Sequence, residues 1–496
     1  MTDPTDPANL FYLGANPDNP EEQFGVTERA RAVHHYVVGG SGVGKSKMLQ
    51  DWILQDVMAG RGCAVIDPKG DLVFDILAAL SALEEVWWPA LAERVVLIDP
   101  ADPHTTAAFN PLDVTHGASP ARLRQELYSI FRKVWGLSEG RTPRLELVLR
   151  RTLHLLMDAG LTLVEMPRVL SDDAYREQLL QNTTDQALRN FWLNEFPRSD
   201  AARFQWTSGI VTRIESFLDD PAMRSMVSGR GRAVDFRKAM DSGSVLLASL
   251  ARGKLGEETS FLLGGFLTTK LQLAAESRVS IWPPERRRRF YIYADEFQQY
   301  STSSLGEMLA DARGYGVSLV MAHQNMAQLD PRLQEAILAN AKIKAAFRQS
   351  HGDARSLSEA MFRVRGDRVK SKELAWIKLG RVPIPIGFNY DYFSASEEAR
   401  QNRDALQYLP DRHLWVHVAD SDALVRLRTV EMPAFDRRVA DERVGRFKAA
   451  LRDARPHGRL PTQQRQLPRL QPAGGRTLYE WLSQRGGRGL PRLRDR

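Results

Sequence analysis

Residues 37–50 read VVGGSGVGKSKMLQ, and the glycine pattern in this stretch decides the fold. Gly39-x4-Gly44-Lys45-Ser46 matches the spacing of a phosphate-binding loop. It lies between an apolar β-branched run, AVHHYVV (32–38), and a helical pattern, KSKMLQDWILQDVMAGRG (45–62). That flanking context makes the motif specific, since the loop must join a strand to a helix N-terminus. Gly39, Gly40, Ser41, Gly42, Val43 and Gly44 would form a tight loop whose backbone N–H groups face phosphate oxygens. Lys45 would then reach the β and γ phosphates, and the Ser46 hydroxyl would bind Mg²⁺. An ordinary glycine-rich turn is the competing reading, and the spacing and flanks weigh against it.

Working outward, CAVID (63–67) and RVVLIDP (94–100) are short apolar runs without alternation, as strands covered on both faces of a parallel sheet should be. From about 118 to 240 the pattern is almost wholly helical. LRQELYSIFRKVWG places Leu123, Leu127, Ile130, Phe131 and Val134 on one face. Strand and helix then alternate again: SVLLASL (244–250), a helix over about 256–277, FYIYAD (290–295), a helix over about 303–314, VSLVMAH (317–323) and IKAAFR (343–348). The pattern weakens after about 365, with HLWVHVA (413–419) one further candidate strand. The expected fold is α/β: a doubly wound, mostly parallel sheet interrupted by an all-α domain. The expected divisions are an irregular entry segment (1–30), the first part of the core (31–117), the all-α insertion (118–240), the second part of the core (241–434) and a basic, disordered tail (435–496).

The 496 residues are 43% apolar and 26% charged, a globular composition. No run of 18 or more uncharged apolar residues predicts a membrane helix, and MTDPTDPANL is no signal peptide. Cys63 is the single cysteine, which excludes an intramolecular disulfide and points to a reducing cytoplasm. The net charge of +7 is concentrated in Arg452–Arg496, where eleven arginines face Asp453, Glu480 and Asp495; that excess of +8 leaves the rest near neutral.

The phosphate loop needs a second acid at a neighbouring strand end, and RFYIYADEF (289–297) supplies two. Asp295 would hold Mg²⁺ through water and Glu296 would orient and polarise the attacking water. An acidic pair stabilised by a helix dipole is the alternative. Gln324 ends VSLVMAHQ, in position to sense the γ-phosphate or hold the water; a plain strand-end amide is its alternative. Arg313 closes a helix, either as a cation at a helix C-terminus or as an arginine finger reaching a neighbouring subunit's nucleotide. Asp67, Lys69 and Asp71 in VIDPKGDL form another strand-end cluster, which a turn alone could also explain. His34, His35 and the other histidines lack metal-ligand spacing, and no Ser/His/Asp nucleophile stands out.

Together these segments resemble the HerA–FtsK class of P-loop ATPases, and within it soluble, TraG-like relatives of the coupling ATPases of conjugation and type IV secretion. The likeness rests on VVGGSGVGKSKMLQ, AVIDPKGDLV, AFNPLD, VLLASLARGKLGEETSFLLGGFL, FYIYADEFQQY, LADARGYGVSLVMAHQNMAQLD and ILANAKIKAAFR, collinear over roughly 30–365. It implies a RecA-like core using ATP and Mg²⁺, a hexameric ring and a pore that pulls DNA. It supports Lys45, Ser46, Asp295, Glu296, Gln324 and Arg313 in the roles above, and an insertion capping one face of the ring. The chain departs from the pattern in lacking N-terminal membrane helices and in leaving little room for a β-barrel before Gly39. DNA would meet Arg252 and Lys254, or the Arg286–Arg289 run, which also reads as a solvated loop. In the tail, RTLYEWLSQR (476–485) sets Leu478, Trp481 and Leu482 at helical spacing, a partner-docking helix or a solvated segment. The expected function is an ATP-driven DNA translocase, cytoplasmic and peripheral to the membrane through secretion-channel proteins or a relaxase. The alternatives are a HerA-like scaffold and motor of a nuclease complex in DNA processing or phage defence, and a nucleotide-switched assembly protein without DNA.

Overall fold

The computed structural model describes residues 10–114, 119–137, 142–229, 233–300, 304–379, 382–433 and 435–454. The strands are β1 (Leu10–Ala15), β2 (Gln23–Thr27), β3 (His34–Val38), β4 (Gly62–Asp67), β5 (Val95–Ile98), β6 (Val245–Ser249) and β7 (Phe290–Asp295). They continue with β8 (Val317–His323), β9 (Ala341–Ala346), β10 (Val369–Leu379), β11 (Val382–Tyr392), β12 (His413–Val418) and β13 (Ala423–Arg428). Eleven form one sheet in the order β2-β1-β13-β12-β9-β3-β8-β7-β4-β6-β5. From β9 to β5 every pairing is parallel, and the antiparallel strands β12, β13, β1 and β2 extend one side.

Both faces of the parallel part are buried, which explains the unbroken apolar runs. Val37, Val65, Leu97, Leu247 and Tyr293 pack under helices Lys45–Met58, Asp71–Ser81 and Arg437–Asp453. On the other face Val38, Ile66, Ile98, Ala248 and Ile292 meet helix Glu257–Ser277, over which helices between Pro120 and Val227 are stacked. Two glycines make that stack tight. A Cβ on Gly264 would come within 2.9 Å of the Tyr300 ring, and one on Gly265 within 2.8 Å of Ile130.

Three expectations are corrected. Residues 10–27 are not irregular: β1 and β2 pair with each other, and β1 joins β13. After 365 the chain forms β10 and β11, a helix (Ala395–Gln407), β12 and β13. The presumed tail begins with an ordered helix, Arg437–Asp453, whose Ala440, Val444, Phe447 and Leu451 are buried. The expected disorder of 455–496 and the 476–485 helix lie outside the described residues. Among the described residues no helix is long and apolar enough to cross a membrane.

Buried charge fastens the N-terminal strands to the core. Arg31 is fully buried, pairs with Asp56 (Nη2 to Oδ2, 2.6 Å), and stacks between the rings of Phe11 and Tyr291. The Tyr293 hydroxyl donates to the same carboxylate at 2.6 Å. Asp51 has no cation of this kind: burial pushes its carboxyl up to about 7, against a hydrogen bond from Gln55. Between about pH 4 and pH 7 the folded protein therefore keeps a proton that the unfolded chain releases, so this group's contribution falls as pH rises. Asp51→Asn should gain on the order of 3 kcal/mol relative to the parent on going from pH 4 to pH 8. Urea midpoints at the two pH values measure this; a pH-independent difference would count against it.

Candidate nucleotide-binding site

The carboxyl ends of β3, β8, β7 and β4 are consecutive along the sheet, so the residues that follow them share one edge. After β3, Gly39–Gly44 turns into helix Lys45–Met58 with Gly44 as its N-cap at φ 111° and Gly42 at φ 77°, values that glycine tolerates. No side chain caps this helix, so the N–H groups of its first turn stay available to an anion. Phe347 fills the space under the loop, where a Cβ on Gly39 would come within 2.6 Å of it. The Arg412 N–H donates to the Val43 carbonyl at 2.9 Å and steadies the loop from β12's side. Lys45 is buried and donates to the carbonyls of Gly39 (2.5 Å) and Gly40 (2.7 Å). Burial lowers the pKa of its ammonium, and the nearby charges of Glu296 and Asp295 oppose that shift. Ser46 is exposed at the helix start.

Asp295 ends β7 and is 3% exposed; burial, then the charges of Asp67 and Glu296, push its carboxyl up to about 7. Glu296 follows at φ 45°, an uncommon backbone for a non-glycine residue, with a strain cost of about 1–3 kcal/mol. Its carboxylate accepts from Lys69 (2.9 Å) and Gln324 (2.7 Å) on one oxygen and Gln298 (3.0 Å) on the other. Burial opposes its charge, but these hydrogen bonds and the Lys69 cation hold its pKa below the ordinary value.

Lys45, Asp295, Glu296 and Gln324 are thus brought together. Of the VIDPKGDL cluster, only Lys69 reaches Glu296. Asp67 accepts from the N–H groups of Lys69 (2.9 Å) and Val73 (3.0 Å), fixing the turn, and Asp71 begins the next helix, exposed. Sequence reasoning left His323, Tyr36 and Tyr300 without a specific place. His323, buried and kept neutral by a pKa lowered to about 4, shares a 2.6 Å hydrogen bond with Tyr36 and packs against Phe297. The Tyr300 hydroxyl donates to the Asp295 carbonyl at 2.6 Å. These contacts tie β3, β8 and the segment after β7 into one frame; the position of His323 beside Gln324 was the available signal.

Arg313 is not brought to this site. It is exposed in the turn before β8, at the edge where the strands begin, with its carbonyl accepting from Gly316. The Arg286–Arg289 run lies at that edge too, and half of it is structural: Arg287 donates to the carbonyls of Ile281 and Val279, and Arg288 to those of Ser242 and Gly60. Arg252 and Lys254 are exposed on the short helix Arg252–Leu255 just after β6, where the Arg252 N–H meets the Pro68 carbonyl at 3.0 Å, next to Lys69.

Residues 289–372 match the family model described as the TraM recognition site of TraD and TraG. Over the chain as a whole, the bacterial conjugative coupling protein TrwB in an unbound form superposes with a TM-score of 0.53 at 16% identity, covering 85% of this chain and 90% of that one. The chain has the fold of a conjugative coupling protein. TrwB in complex with ADP and Mg²⁺ gives a TM-score of 0.51 at 17% identity over 86% of this chain and 90% of that one. VirB4 of Thermoanaerobacter pseudethanolicus gives 0.51 at 15% over 85% and 96%. No curated protein matches the sequence. In this fold Gly39–Gly44 is the turn between β3 and helix Lys45–Met58.

Proposed function

We propose that the chain is an ATP-hydrolysing motor of the coupling-protein kind, which moves DNA as a homo-hexameric ring. The observation that carries this reading is the meeting of Lys45 with Asp295 and Glu296, beside Gln324 and Lys69, at one sheet edge. The loop N–H groups and Lys45 would hold the β and γ phosphates, and Glu296, fixed by three donors, would accept the proton of the attacking water. The donor set fits Mg²⁺: Asp295 is a buried carboxylate beside two others, an excess of negative charge that a divalent cation relieves, and Ser46 offers a hydroxyl. Few protein ligands suffice for this ion, which keeps several waters. Bound there, it would neutralise charge developing on the phosphoryl oxygens. The solved complex of TrwB with ADP and Mg²⁺ supports this pairing.

In this reading residues 118–240 form a separate helical domain capping one face of the ring. Arg313, remote from its own chain's site, acts on the neighbour's nucleotide. The likeness of 289–372 to a TraM recognition site supports a protein partner for this half of the core.

ATP turnover with and without single- and double-stranded DNA tests the proposal, with solution mass measured in ATP. DNA should raise turnover several-fold and the mass should be that of a hexamer. Mixing Lys45→Ala with Arg313→Ala subunits should recover part of the activity that each lacks alone. A DNA-indifferent monomer would overturn the motor reading.

A further inference from the structure

Among the described residues β10 and β11 pair only with each other, antiparallel, as a two-stranded sheet apart from the main one. Val369–Leu374 and Gly387–Tyr392 are exposed throughout, so neither face of this part of the hairpin rests on the core. The two faces differ in chemistry. Cross-strand partners lie on the same face, and the pairs Lys372–Tyr390 and Leu374–Phe388 place a lysine, a leucine and two rings together. Tyr392, two residues beyond Tyr390, continues the row. The opposite face carries Ser371 and Glu373 across from Asp391 and Asn389.

Leu374, Phe388, Tyr390 and Tyr392 are each about half exposed (47–50%), an unusual load of apolar surface for a free hairpin. The Tyr390 and Tyr392 rings lie 6.4 Å apart at 31°, and the Lys372 ammonium sits 3.7 Å from the Phe388 ring centre. At the hairpin base a cleft of about 450 Å³ is lined by Arg363, Arg365 and Arg368, by Phe362 and Trp415, and by the carboxylates Glu398 and Asp422, the latter paired with Arg363 at 2.9 Å. Arg365 and Arg368 thus add positive charge at the base of the hairpin.

We propose that this face of the β10–β11 hairpin is a binding platform for single-stranded nucleic acid. Rings in a row along a strand accept successive unstacked bases, independent of sequence, while flanking cations neutralise the phosphates. A duplex hides its base faces and cannot use the rings in this way. The acidic reverse face repels phosphate and confines the strand to one side. The inference goes beyond the motor reading, because it concerns binding at a surface remote from the phosphate loop and needs no hydrolysis.

Anisotropy titrations of the full chain, without nucleotide, would use labelled oligo-dT and oligo-U across a range of salt. Phe388→Ala with Tyr390→Ala should weaken single-strand binding about ten-fold or more, and Lys372→Ala should reduce the salt slope by about one. Tyr390→Phe, which keeps the ring, should bind as the parent does. Tighter binding of dT identifies DNA as the ligand, and tighter binding of U identifies RNA. Parent-like affinity in the double alanine variant, with unchanged circular dichroism, overturns the proposal. So does a variant whose only change is lost self-association, which would make the face a contact between copies. A parent that binds oligonucleotide through these rings but hydrolyses no ATP would sink the motor reading and leave the platform standing.

Discussion

Glu296→Gln should lower ATP turnover by about 10²–10⁴-fold while leaving nucleotide affinity close to that of the parent. The substitution keeps the side chain's size and one accepting oxygen for Gln324 or Lys69, but removes the site that takes a proton from water. Retained ATP binding with lost turnover is the signature of a group acting on the chemical step. Hydrolysis within a few-fold of the parent would remove Glu296 from the mechanism. A companion variant isolates Lys69, whose hydrogen bond and charge hold the Glu296 pKa down. In Lys69→Met that pKa rises, so the acid limb of the kcat profile should move to higher pH. A Lys69 that merely props the turn would leave the limb in place.

The second large effect is expected at the loop itself. Lys45→Ala should weaken binding of a fluorescent ATP analogue in the presence of Mg²⁺ by about 10²-fold. That corresponds to losing one or two charge-assisted hydrogen bonds at about 1.5–3 kcal/mol each. The ammonium now satisfies the Gly39 and Gly40 carbonyls, so nucleotide binding requires it to turn toward phosphate. Since the same substitution leaves those carbonyls without a donor, thermal unfolding of the nucleotide-free variant serves as the control for loop integrity. Unchanged affinity in a folded variant would overturn the phosphate-loop assignment.

The parts of this molecule that could be read from its sequence are those where burial leaves a one-to-one mark. Strands β3 to β9 are covered on both faces, so they appear as apolar runs, and their ends were placed within a few residues. β1, β2 and β13 lie on the antiparallel side; β2 buries only Val26, and β13 buries only Leu427, too little for a pattern. The β10–β11 hairpin buries neither face over Val369–Leu374 and Gly387–Tyr392, and Pro383 and Pro385 argue locally against a strand. Helix Arg437–Asp453 was absorbed into the basic composition that follows it, although its four buried residues recur at helical spacing.

At the site, Gly39–Ser46, Asp295, Glu296 and Gln324 were legible because each follows a recognisable strand. The reach of Lys69 to Glu296 was not. It depends on the turn that Asp67 holds, and on Gly70 adopting φ 85° against Ala251, neither of which residue types alone specify. The remoteness of Arg313 from its own chain's loop likewise needed the direction of β8.

The glycine pair in helix Glu257–Ser277 has a mechanical consequence. From the Asp295 carbonyl the line runs through the Tyr300 hydroxyl and ring to Gly264, across the helix, and from Gly265 to Ile130 of the outer helix Pro120–Val134. Neither glycine joint has room for a Cβ, so the backbone of the long helix is packed closely at both points, while Tyr300 also borders a small apolar cavity of about 20 Å³ that can absorb part of a shift. Gly264→Ala or Gly265→Ala would act as a shim in that linkage, far from any phosphate, and would alter the seating of one end against the other.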